Sequence, residues 1–252
     1  VAKARALLDE DPLLTRRNVE LAEQFALEAI AKDPSSAEAF AAAAWVNYRF
    51  LERNYEDTPK RRADLRSYAE KAKLLAPDSV NAELAACGLL MVNGDWTEAN
   101  RRMEKLVERA PSNLTVLRAA LSASASHHGT AFDSNRMPEA SLERLRVHSP
   151  LGRSYADVEV VGVHWRKAEY VEADRLLDAM FASGHPVARA YILRLLVLTF
   201  GWGDLAASRQ FAATIPSTLL LEDAFVNHLS TLELYSGDYA KALETLGRSQ
   251  RA

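Results

Sequence analysis

One cysteine, Cys87, stands in the 252 residues. It excludes an internal disulfide framework and any metal site built on several thiolates. Glycine is sparse as well, 10 residues in all, below the ~7% of ordinary proteins, so turns are brief and helices fill the chain. No apolar run approaches the ~18–20 residues of a membrane span; the longest, Tyr191 to Phe200, is interrupted by Arg194. A secretory leader is not visible, and no strict two-residue alternation marks a strand. Basic surplus is missing too. The formal net charge is −3, which speaks against nucleic acid as a partner, since that calls for a basic patch or stripe. A Gly-rich phosphate loop, a nucleophile elbow and a zinc-protease helix pattern are all absent, so nothing points to an enzyme or a cofactor.

What the chain does have is a metre. Pro34, Pro77, Pro111, Pro150, Pro186 and Pro216 are separated by 43, 34, 39, 36 and 30 residues, and each follows an Ala- and Leu-rich amphipathic stretch. The clearest unit runs from Val80 to Pro111. Ala82, Ala85, Ala86, Leu89 and Leu90 recur at helical spacing on one face. Gly94-Asp95-Trp96 then breaks the helix, with Gly94 suited to a left-handed C-terminal position and Asp95 and Glu98 to a capping box. A second helix carries Ala99, Met103, Leu106 and Val107. Cys87 and Ala99 are the small residues where the two helices approach.

The turn phrase returns. Gly203-Asp204-Leu205 and Gly237-Asp238-Tyr239-Ala240-Lys241-Ala242 place their glycines 34 residues apart, and Ala168-Glu169-Tyr170-Val171-Glu172-Ala173 is an upstream variant 35 residues before Gly203. Upstream, Val19, Ala22, Phe25, Ala26, Ala29 and Ile30 form one stripe ending at Pro34. Ser35 with Glu38 opens a helix through Phe40, Ala43, Ala44 and Trp45. The stretch Leu51 to Arg62 adds about nine residues to the first interval, and Thr58-Pro59 reads as a cap with proline at the first helical position. His127 to Pro138 reads as a longer connection. Downstream, Tyr155–Arg166 pairs with Glu172–Phe181, Pro186–Phe200 with Leu205–Ala213, and Thr218–Tyr235 with Tyr239–Leu246.

Gly94-Asp95-Trp96-Thr97-Glu98-Ala99, followed by Met103 and Pro111, resembles the tetratricopeptide repeat: a turn glycine, an aromatic, a small alanine and a closing proline at a period near 34. The resemblance implies an all-α fold, a right-handed superhelical solenoid of about seven antiparallel hairpins. The whole chain, 1–252, is expected to be one such body, less regular around 125–150. First helices would line an inner groove and second helices the outside.

That groove is where partners of similar repeats lie. Register places Trp45, Tyr48 and Arg49 on it in one unit, then Asn81, then Arg118, then Tyr155 and Trp165, then Asn227. Two readings of these residues stand side by side. Aromatic anchors with Arg and Asn would grip a peptide, or the same side chains would pack between hairpins. A dense Lys, Arg and Asn clamp for acidic chaperone tails is missing. His127-His128 with Asp133 lacks the spacing of metal ligands, and Cys87 reads as a packing residue. The expected function is a non-catalytic protein- or peptide-binding scaffold, or a self-associating one, without nucleic acid, membrane insertion or cofactor.

The alternative is a regulatory or sensor segment of a larger bacterial signalling protein, such as a transcription regulator, cyclase or kinase. The Ala-rich stretches Ala22–Pro34 and Ala37–Trp45 resemble helical-repeat regions attached to those proteins. Val1 and the abrupt end after Gly247-Arg248-Ser249-Gln250 read as the edges of an excised piece. One thiol and no leader favour the cytoplasm, with the periplasm as the alternative for a piece cropped from a membrane-anchored protein.

Overall fold

The structure, a computed structural model, describes residues 1–9, 11–125 and 139–248. Every regular element among them is helical. In chain order these are α1 (Ala2–Asp9), α2 (Arg16–Lys32), α3 (Ala37–Glu52), α4 (Pro59–Leu75), α5 (Val80–Asn93), α6 (Trp96–Arg109) and α7 (Leu114–Ala125). They continue as α8 (Glu139–His148), α9 (Pro150–Arg166), α10 (Tyr170–Ala182), α11 (Ala188–Leu196), α12 (Leu205–Ala212), α13 (Asp223–Tyr235) and α14 (Tyr239–Leu246). A π-helical turn, Val197–Gly201, prolongs α11. Taken two at a time, the 14 α-helices among the described residues make seven hairpins, as the proline metre implies. His127, His128 and Asp133 lie outside the described residues.

The chain forms two compact units, Val1–His148 and Ser149–Ala252. Their boundary falls in the 125–150 stretch, where the sequence register loosens. In the first unit α3 touches its own partner α4, the preceding second helix α2, and the first helix of the next pair, α5. Its sequence explains this reach. Ala39, Ala41, Ala42, Ala43 and Ala44 are all buried together with Val46 and Phe50. A helix that is apolar on every side is buried on every side, and alanines let neighbours close in. The second helices are one-faced: α4 buries Leu65, Ala69 and Ala72, and α6 buries Ala99, Met103, Leu106 and Val107.

The prolines act as stops. Pro34, Pro77 and Pro111 each follow a helix-ending residue with non-helical backbone: Asp33 at φ −140°, Ala76 at −145° and Ala110 at −136°. Proline disfavours the helical region for the residue before it, so three second helices end alike. Thr58 accepts from the Arg61 N–H at the start of α4, with Pro59 at the first helical position.

Two capping assignments differ from the sequence reading. Ser36, not Ser35, caps α3 by accepting from the Ala39 N–H, while the Ser35 hydroxyl donates to Asp33. Glu38 is thereby released to accept from Arg5, Ser79 and Asn81. Asp95 makes no cap at α6, and Glu98 instead holds Arg101. Local pattern marks where a helix begins, but charged side chains further off compete for the same carboxylates.

In the second unit Tyr155, Val158, Val161, Ala173, Leu177, Met180, Val187, Ala190, Leu193 and Val197 form the core. The expected helix from Thr218 begins only at Asp223. Before it, turns bonded from Leu219 N–H to the Pro216 carbonyl and from Leu220 N–H to the Ser217 carbonyl bury Leu219. A tight turn inserts that one leucine without extending the helix.

Candidate functional site

Trp45, Tyr48 and Arg49 occupy one face of α3 because their spacing of three and four residues is that of a helix. All three are buried, at 5%, 4% and 3% exposure. The Trp45 and Tyr48 rings stack with centroids 4.6 Å apart, and the Arg49 guanidinium lies 4.9 Å from the Trp45 ring centroid. Gly88 of α5 makes the room: a Cβ there would come 3.2 Å from Cγ of Tyr48 and 3.3 Å from Cζ3 of Trp45. The Tyr48 hydroxyl reaches Met91 Sδ at 3.7 Å.

Arg49 Nη1 donates to Glu52 at 2.7 Å. Among the described residues, its Nε and Nη2, together with Trp45 Nε1 and Arg53 Nε, are buried donors with no hydrogen-bond partner. Burial alone would raise the Glu52 pKa, but the charges of Arg49 and Arg53, the Arg49 hydrogen bond and Arg118 outweigh it and hold the carboxyl below its ordinary range. Burial, reinforced by Glu52, pushes the Tyr48 phenol up.

Arg118 reaches back from α7 to the last turn of α1. Its Nη1 lies 3.3 Å from the carbonyls of Leu8 and Asp9, carbonyls that a helix end leaves without intrahelical partners. Asn81 of α5 donates to Glu38 at 2.8 Å, so Glu38 ties α1, α3 and α5 together at one end. Tyr155 is part of the core of the second unit, with Trp165 half-buried against it. Asn227 is exposed on α13, its carbonyl accepting from the Ser230 and Thr231 hydroxyls. The structure thus gathers Trp45, Tyr48 and Arg49 in one cluster, and gives Asn81 and Arg118 separate bracing contacts within the same unit. Tyr155, Trp165 and Asn227 belong to the other.

Beside the cluster opens a cleft of about 430 Å³. Tyr48 and Met91 are buried at its base, Leu51 and Trp96 form walls, and Glu52 and Arg62 stand at its edge. Sequence reasoning placed Tyr48 on the inner face but missed Leu51, Glu52, Arg62 and Trp96. A signal was there: the Gly94–Trp96 turn and the insertion after Leu51 are the two irregular stretches flanking α3 and α5, and both contribute to this cleft. Arg62 is held by Asp57 through two hydrogen bonds, at 2.6 and 2.8 Å.

Antiparallel helix pairs, first helices in contact from α1 through α3 to α5 and from α9 through α11 to α13, and left-handed glycines at the turns define a tetratricopeptide-like helical-repeat fold in each unit. No protein-family model matches the chain, and no curated protein matches it. Among solved structures it is similar to the human IFIT1 dimer with m7Gppp-AAAA, at 12% identity and a TM-score of 0.48, covering 98% of this chain and 70% of that one. The human IFIT1 dimer with PPP-AAAA is similar at 13% identity and 0.48, covering 94% and 69%. No helix among the described residues is long and apolar enough to cross a membrane.

Proposed function

We propose that the chain is a non-catalytic scaffold that binds a protein or peptide partner, with the cleft between α3 and the α5–α6 turn as its principal site. The observation that carries this reading is the cleft's make-up: aromatic and thioether surface at the base, one carboxylate and one guanidinium at the edge. Such a lining suits an apolar side chain flanked by polar backbone. Leu51 and Trp96 offer the contact surface over a floor made by Tyr48; Trp45, Arg49, Asn81 and Arg118 hold the first helices that frame it. Tyr155, Trp165 and Asn227 are assigned to a comparable face of the second unit. The reading as a regulatory segment of a larger signalling protein uses the same surface.

Selection of a random peptide display library on the purified chain tests it. Enriched peptides share an apolar anchor, and Trp96→Ala lowers their affinity roughly tenfold or more while thermal stability stays near that of the parent. If no sequence enriches above background, the reading falls.

A further inference from the structure

Two departures from the repeat meet at one place in the second unit. In three turns within helix pairs the left-handed position is glycine: Gly94 at φ 82°, Gly203 at 66° and Gly237 at 77°. The matching turn after α9 has Ala168 there, at φ 58°, a conformation that costs an L-residue about 1–2 kcal/mol. The aspartate that follows glycine elsewhere is Glu169 here. Asp204 and Asp238 accept from backbone N–H groups of the next helix. Glu169 makes no cap, and its Oε2 lies 2.6 Å from His164 Nδ1.

The π-helical turn Val197–Gly201 is the second departure. It brings Trp202 to Tyr170, with ring centroids 6.0 Å apart at 66°. Gly201 admits that approach, since a Cβ there would lie 3.0 Å from the Tyr170 ring. Trp202 Nε1 donates to Asp174 at 2.6 Å, which fixes the indole, and Trp165 backs Tyr170 at 5.4 Å. Strained residues and π-helical turns cluster where a fold is shaped for a task. Here both border one open cleft of about 550 Å³, lined among others by His164, Glu169, Tyr170, Val171, Glu172 and Trp202.

Among the described residues the lining holds two carboxylates and no lysine or arginine. Trp202 is 47% and Val171 73% exposed. Nearby cations are engaged: Arg175 holds Glu172, and Arg194 holds Asp174 and Asp178. We propose that this cleft binds an arginine or lysine side chain from a basic segment of a partner polypeptide. The aliphatic stem lies over Val171, the cationic head meets the exposed Trp202 indole, and Glu169 supplies the opposite charge. The inference shares with the preceding reading the premise of a polypeptide partner, but it concerns a different site.

Titration of the full chain with a blocked peptide of alternating arginine and glycine, followed by indole N–H resonances, tests it. The Trp202 resonance shifts with the arginine peptide and stays in place with its uncharged citrulline counterpart. Trp202→Ala and, separately, Glu169→Gln weaken binding roughly five- to thirtyfold, while Trp96→Ala in the other unit leaves it unchanged. Equal binding of the citrulline peptide, or parental affinity in Trp202→Ala, overturns the proposal. Should Trp202→Ala lose its fold, Glu169→Gln decides alone, and parental affinity there overturns it. Failure of the display selection would remove the first-unit site and leave this titration intact.

Discussion

At the scale of single residues, burial decides chemistry. Cys87 is fully buried in α5, and burial, with Glu83 adding, pushes its thiol up to about 12. Only the thiolate is nucleophilic, so iodoacetamide at pH 8 should leave the native protein unmodified and label it once denaturant unfolds the chain; rapid labelling without denaturant would contradict the packing. Glu83 illustrates the opposite case. It accepts from Arg102 of α6 at 2.6 Å and from Lys73 of α4 at 2.8 Å. The Arg102 hydrogen bond leads, with Lys73 adding and burial opposing, and the carboxyl falls from 4.5 to about 2. A carboxylate whose pKa is lower in the folded state contributes stability above its unfolded pKa and loses it as pH falls through the folded one. Glu83→Gln therefore costs about 1–3 kcal/mol at pH 7, and the gap to the parent narrows between pH 4.5 and pH 2. Urea denaturation of both proteins at several pH values checks this; a gap that does not change with pH would refute it.

At the scale of elements, the turns between paired helices depend on a residue that can adopt positive φ. Gly94 sits at φ 82° with open space where a Cβ would be, so Gly94→Ala adds only backbone strain and should cost about 1 kcal/mol. Ala168 has the same duty with the wrong residue. Ala168→Gly relieves its strain, partly offset by the entropy of an unfolded glycine, and should raise stability by up to about 1 kcal/mol. Thermal melts of the two variants should move in opposite directions; a shared direction would mean that the turns are not equivalent. Gly88 differs from both, because its constraint comes from the Trp45–Tyr48 stack pressed against it and not from its backbone angles. Gly88→Ala should therefore disturb the packing of α3 on α5 and alter the near-ultraviolet dichroism of those rings.

At the scale of the whole chain, stability in stacked repeats is close to a sum of local terms and need not be all-or-none. The contacts divide the chain at His148 and Ser149, and the four tryptophans divide evenly, Trp45 and Trp96 before the boundary and Trp165 and Trp202 after it. A variant carrying Trp165→Phe and Trp202→Phe reports on the first unit, and one carrying Trp45→Phe and Trp96→Phe on the second. Their fluorescence transitions in guanidinium should have different midpoints. Coincident midpoints in both variants would mean that the units unfold as one.

The amino-acid sequence by itself determined the helices, their pairing and their number, because these follow from short-range rules: proline stops, left-handed glycines, small residues at close approaches and apolar stripes at helical spacing. It also placed Trp45, Tyr48 and Arg49 on one face, since three residues within five positions of a helix need no tertiary information. It did not reveal that Glu38 abandons its cap for Arg5 and Asn81, or that Arg118 braces the end of α1 about a hundred positions earlier. Nor did it pair Tyr170 with Trp202. Those contacts depend on which helix ends the packing brings together, and only the tertiary structure decides that, because a charged or aromatic side chain takes the nearest partner in space whatever its distance along the chain.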